Sequence, residues 1–315
     1  MQSILPFFII LIAALASSRV FRKFRIPWAV ALIFGGIMIG PFGLRLIMPD
    51  PTLEFLKHLG MVFLMFMAGL ETRFSGFRDN RKESFLISTA GGIVPFATGM
   101  LIAILFGYQV PAALLLGTIF FASSITITLP ALKAHGLSHS KAGKVIISSV
   151  IMQNIASLVL LAIVLQYLMP GRLFFPIFLT FFAVILFVVV IAKWGIPRFG
   201  WIFKDHDQRR NQFERDLRIV FAFLVGTVII FEFLDLHAII GAFLAGLILS
   251  EMIKEDTLRT KIHVMAYGLF VPIFFIMVGV DMDLGVFSEM REMFLLILVI
   301  VTGLILSNFL RGFFS

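Results

Sequence analysis

Cysteine is absent from the 315 residues. That excludes a disulfide, a thiolate metal site and a cysteine nucleophile. Charge is scarce too: Asp, Glu, Lys and Arg make up 14% of the chain, against about a quarter in ordinary soluble domains. The phosphate-cradling pattern GxxxxGK[ST] does not occur, which argues against ATP-driven transport by this chain alone. No nucleophile–base pair and no cluster of metal ligands falls inside the apolar stretches, so the sequence does not read as an enzyme and calls for no cofactor. The gap with the largest consequence is in the apolar stretches themselves. None carries Asp, Glu, His, Lys or Arg near its centre, where an ion-coupled carrier usually keeps a titratable group.

What is present is apolar. Hydrophobic residues make up 60% of the chain, with 38 Phe, and the mean hydropathy is +1.05. These values describe an all-α polytopic membrane protein. We read eleven spans, at about 3–18, 27–44, 55–70, 84–107, 110–132, 144–166, 173–194, 215–234, 237–250, 264–280 and 293–310. The first is followed by charges and another span without a cleavage signature, so it reads as a retained helix. The span at 237–250 is short enough to tilt little or to be partly re-entrant.

The formal charge of +8 is not a nucleic-acid signal, because the basic residues sit between the spans. Only Arg45, Lys57, Arg172 and Arg291 fall in one set of alternate loops; the remaining Lys and Arg fall in the other. Positive loops stay cytoplasmic, which puts the N-terminus outside and the C-terminus inside. The longest hydrophilic loop, 198–214, separates a first half, 1–197, from a shorter second part, 215–315. Two repeated halves are a common transporter plan.

The stretch 141–166, KAGKVIISSVIMQNIASLVLLAIVLQ, organises the rest. Gln153 and Asn154 lie near the middle of its apolar run, at the depth farthest from water. Ser149, Gln153 and Ser157 follow one another at i, i+4, i+8 and so form one polar stripe, with Asn154 beside it. Such groups in hydrocarbon need partners. Two readings are open: hydrogen bonds that join helices, and an ion site. Span 110–132 ends in Ser123, Ser124, Thr126, Thr128 and Pro130. Proline removes a helical donor and the hydroxyls compete for backbone bonds. A break near 123–128 would free carbonyls for a cation; a proline-kinked helix end is the plainer reading. Asp281 with Asp283, and Glu232 with Asp235 and His237, read as solvated ends of spans; Glu71 with Arg73 reads as a helix-end ion pair.

Five segments, taken together, resemble the Kef-type branch of the monovalent cation:proton antiporters. They are GMVFLMFMAGLETRF at 60–74, ASSITITLPALKAHG at 122–136, VIMQNIASLVLLAIV at 150–164, HAIIGAFLAGLILSE at 237–251 and GLFVPIFFIMVGVDMDL at 268–284. They keep order and spacing over nearly the whole chain. The resemblance implies secondary active exchange of K⁺ or Na⁺ for H⁺ by a homodimer in a cell membrane, most simply the inner membrane of a prokaryote. It also implies one dimerising domain, one mobile ion-carrying domain and a pair of crossed broken helices. Ser123, Ser124, Thr126 and Thr128 match the first break, and Gln153 matches the Gln of the family's Gln-Asp pair. Asn154 stands where that family has its ion- and proton-binding aspartate. The family also commonly has a lysine in the helix matching 293–310, where this chain has none, and about two further spans after the position of Ser315. A homologue that kept the fold and lost transport is the alternative this departure suggests.

Overall fold

Helices account for all the regular structure among the described residues of this computed structural model. Those residues are 4–22, 26–71, 81–123, 128, 132, 135–137, 140–168, 210–234, 236–253, 256–283, 285 and 290–314. The elements are α1 (Ile4–Arg22), α2 (Trp28–Ile39), α3 (Pro51–Glu71), α4 (Arg81–Leu105), α5 (Val110–Phe121), α6 (Lys141–Leu168), α7 (Arg210–Phe233), α8 (Ala238–Met252) and α9 (Asp256–Met265). A π-helical turn, Ala266–Phe270, continues into α10 (Val271–Val280), and α11 is Met290–Phe314. Ten of the eleven expected spans have a helix; the one at 173–194 lies outside the described residues. Among the described residues, four helical stretches are long and apolar enough to cross a bilayer: Pro51–Glu71, Lys82–Leu105, Lys141–Leu165 and Thr257–Val280.

Local chemistry sets the ends. Asp50 caps α3, accepting from the amides of Thr52 at 2.7 Å and Leu53 at 3.0 Å, with Pro51 at the first helical position, where no donor is lost. The π turn has a comparable cause. Pro272 has no amide to return to the Gly268 carbonyl, and a wider turn forms just before it. The helical path here also starts earlier than hydropathy suggests. Arg259 and Lys261, expected in a loop, lie on α9, because helicity continues past the point where apolar residues stop.

The described helices fall into two compact units. Neither follows the halves of the chain, since each takes helices from both sides of 198–214. One holds α1, α2, α3, α7, most of α8, α9 and α10. Its core includes Ile10, Leu32, Leu53, Ile276 and Met277, all at most 1% exposed. Glycines set how closely its helices approach. A Cβ on Gly36 of α2 would strike the Ile276 carbonyl of α10, and one on Gly279 would strike the Ile33 carbonyl of α2. Gly69 of α3 and Gly246 of α8 repeat this against the carbonyls of Phe243 and Phe66. Arg259 fastens the second crossing: its guanidinium donates to the carbonyls of Ile253 at 2.8 Å, Leu70 at 3.5 Å and Ser250. Two helix C-termini are thereby capped by one cation.

The other unit holds α4, α5, α6 and α11. Helices α4 and α5 run antiparallel in close contact. Added Cβ atoms on Gly99 and Gly117 would lie 2.8 Å from the Leu116 carbonyl and 2.9 Å from the Phe96 carbonyl. Gly92 of α4 faces the Phe121 ring at the end of α5.

Candidate ion site

The polar stripe of α6 meets a second stripe on α4. Ser149 Oγ lies 2.8 Å from the Val145 carbonyl and 3.2 Å from the Ser84 carbonyl. Gln153 Nε2 donates to the Ser88 carbonyl at 3.2 Å. Ser84 and Ser88 are one turn apart, as are Ser149 and Gln153. Since both numbers rise together, α4 and α6 run parallel, with a constant offset. Lys141 Nζ reaches Glu83 at 3.2 Å near the start of the two helices, an exposed ion pair made by a long side chain outside this register. Gln153 is 0% exposed and Ser149 1%. Deep in an apolar span such bonds offset the cost of burying a hydroxyl and a carboxamide.

Asn154 differs from its neighbour. It is half-buried at the centre of α6, and among the described residues its carboxamide makes no hydrogen bond. Its backbone carbonyl accepts from Ser157 Oγ at 2.9 Å. The Gln-Asn pair therefore divides: Gln153 is engaged with α4, and Asn154 keeps a donor and an acceptor available at the depth the sequence singled out. Ser84 Oγ is fully buried and has no hydrogen-bond partner among the described residues.

Helix α5 ends at Phe121, about 18 Å from its start at 1.5 Å per residue, too short to cross a bilayer. Ala122 is extended, with φ −63° and ψ 140°. Ser123 follows outside regular structure, and Thr128 is half-buried. Ser124 and Thr126 lie outside the described residues. The interruption thus begins one residue before the expected stretch.

The other groupings are occupied. Asp281 at the end of α10 is 2.5 Å from Lys57 Nζ of α3, which also holds Glu54 at 2.9 Å. Asp283 accepts from the Gly285 amide at 2.7 Å. Glu232 lies 3.4 Å from His58 Nε2; Asp235 and Arg73 are outside the described residues. Among the described residues no group of three His, Asp or Glu is placed to hold a metal. Two features escaped the sequence reading: the Ser84 and Ser88 carbonyls that accept from α6, which no side chain signals, and the Arg259 clamp.

Comparison with known proteins points one way. The family profile described as "Sodium/hydrogen exchanger, transmembrane" matches residues 8–315. The chain is 32% identical over 312 residues to the Na(+)/H(+) antiporter NhaS5 of Synechocystis, covering 97% of this chain and 43% of that protein. It is 28% identical over 316 residues to the Probable Na(+)/H(+) antiporter 3 of Methanocaldococcus jannaschii, covering 98% and 79%. The Na(+)/H(+)-K(+) antiporter GerN of Bacillus cereus is 27% identical over 256 residues, covering 81% and 65%. The chain thus spans between under half and about four-fifths of the length of these relatives.

Proposed function

The chain belongs to the sodium/hydrogen exchanger family, and from that premise we propose that it carries Na⁺ or K⁺ across a membrane in exchange for H⁺. The observation that carries this reading is Asn154: a carboxamide without hydrogen-bond partners among the described residues, held at mid-span of a 28-residue helix. Its Oδ1 is the cation ligand. Gln153 and Ser149 hold α6 against α4, and Ser157 supports the same turn. The α5 interruption at Ala122–Ser123 supplies backbone groups not committed to a helix, with Ser123, Ser124, Thr126 and Thr128 as the flanking hydroxyls. The unit built on α4, α5, α6 and α11 is the ion-carrying body; the other is its scaffold and forms the homodimer. The N-terminus faces outward and the C-terminus the cytoplasm, as the distribution of Lys and Arg supports.

Asn154 does not titrate, so a proton does not compete with the cation for that side chain. The coupling proton uses another group. Reconstitution tests the reading: the protein and its Asn154→Asp variant are placed in liposomes with a pH gradient, and lumenal pH is followed as Na⁺ or K⁺ is added. Cation-dependent dissipation by the unsubstituted protein is the expected result. Dissipation by the Asp variant alone would mean that exchange requires an acid at 154 and that the native chain does not exchange. Dissipation by neither folded protein would overturn the antiport reading.

A further inference from the structure

The unit that holds α4, α5, α6 and α11 carries no charge along its apolar stretches. Residues 84–132, 145–171 and 293–310 belong to it, and none of them is Asp, Glu, His, Lys or Arg. Their polar side chains are those of Ser, Thr, Tyr, Asn and Gln, which are uncharged near neutral pH. Lys82, Glu83, Lys141 and Lys144 flank these stretches where α4 and α6 begin, and all four are exposed. Asp235 and His237 lie before α8, outside them. The other unit differs. Its α7 holds Asp216, with a side chain 18% exposed, and its α9 holds the half-buried Arg259.

This distribution fixes the charge of a carrying body in each of its states. Asn154 sits at mid-span of α6, and its neighbour Gln153 is bonded to α4. A carboxamide is neutral with or without a cation beside it. The empty body therefore bears no charge at that depth, and the loaded body bears the full charge of its ion. An aspartate at 154 would reverse the assignment, making the loaded body neutral and the empty one negative. A membrane potential does work only on a form with net charge. The side chain at 154 thus decides which half of the cycle the potential drives. Within these stretches no group is able to move a compensating proton together with the ion.

We propose that the loaded body crosses the membrane as a singly charged complex, so that an inside-negative potential drives inward carriage of Na⁺ or K⁺ even at equal pH. The inference rests on reading Asn154 as the cation ligand and this unit as the carrying body. It adds where the charge resides and which force acts on the loaded step.

The test counts charge per ion. Proteoliposomes filled with choline buffer are fixed on a solid-supported membrane with equal pH on both sides, and Na⁺ or K⁺ replaces the external choline. The charge displaced in the first crossing is compared with radioactive tracer taken up by the same liposomes. The unsubstituted protein should move about one positive charge inward per cation. Asn154→Asp, at a pH where its acid is ionised, should move at least about fivefold less charge per cation. Asn154→Gln stays neutral and should keep about one charge per cation whatever its rate. Tracer uptake by the unsubstituted protein without displaced charge, or with charge of the opposite sign, would overturn the proposal and leave cation carriage standing. Equal charge per cation in the Asp and Gln variants would also overturn it, because the carried charge would then not be set at 154. If the Asp variant does not fold, the unsubstituted and Gln ratios decide. Absence of tracer uptake by the folded, unsubstituted protein would remove the carriage reading and this inference with it.

Discussion

On the proposed reading Asn154 is the cation ligand, and placing a titratable group there is the most direct probe. Asn154→Asp introduces a carboxylate at the same position. Desolvation raises the pKa of an acid there, while a bound cation lowers it. Cation affinity of that variant should therefore fall as pH drops through the carboxyl's pKa, a titration added to whatever pH dependence the separate coupling group gives the native protein. Calorimetry at a series of pH values checks it; the same pH response in both proteins would mean that the carboxylate at 154 does not hold the cation. The neighbours predict differently. Ser149→Ala and Gln153→Leu each delete one helix–helix hydrogen bond, which in membrane proteins is worth about 0.6 kcal/mol on average. Each should melt only slightly lower than the parent. That this stripe would be buried and bonded inside the protein was legible from the apolar run around QN alone. What those side chains bond to was not, because the acceptors are backbone carbonyls 65 residues earlier, and backbone groups carry no sequence signature.

At the scale of the elements, glycine decides which helices meet. Gly36 and Gly226 make a matched pair. A methyl group on Gly36 would strike the backbone of α10, while one on Gly226 of α7 would meet nothing within 4 Å. Gly36→Ala should therefore separate α2 from α10 and cost about 1–3 kcal/mol, as overpacking does. Gly226→Ala should be neutral or stabilising by up to about 1 kcal/mol, the helix preference of Ala over Gly. Melting temperatures of the two variants in one detergent decide the point, and equal shifts would refute the assigned contact. Hydropathy located these helices well but not their interruptions. The end of α5 at Phe121 was expected within a few residues from the hydroxyl-rich run. The π turn was not expected, since hydropathy drew 264–280 as one span. Helix α9 was hidden for another reason: its charged residues resemble a loop until Arg259 is seen capping α3 and α8.

At the scale of the whole molecule, the absence of cysteine becomes an experimental asset. Any cysteine introduced is the sole thiol, so accessibility reports position without background. The path from α9 through the π turn to α10 is suited to the measurement. Thr257 near its start is exposed, and Met282 just past its end is 38% exposed. The residues between them form an apolar stretch of bilayer length, Thr257–Val280. In the orientation proposed from Lys and Arg, the Thr257 end is cytoplasmic and the Met282 end outside. In intact cells, a membrane-impermeant maleimide should label Met282→Cys and leave Thr257→Cys unlabelled until the membrane is opened. The reverse pattern would invert the topology and with it the direction in which Asn154 is first reached. Labelling of both in intact cells would mean that 257–280 does not span the bilayer. The ion pair of Lys57 with Asp281 sharpens the same argument, because it anchors α3 to the Met282 end of α10. Helix α3 is itself of spanning length, so its opposite end, Glu71, must share the compartment of Thr257. That side also holds Arg259, whose guanidinium reaches the Leu70 carbonyl.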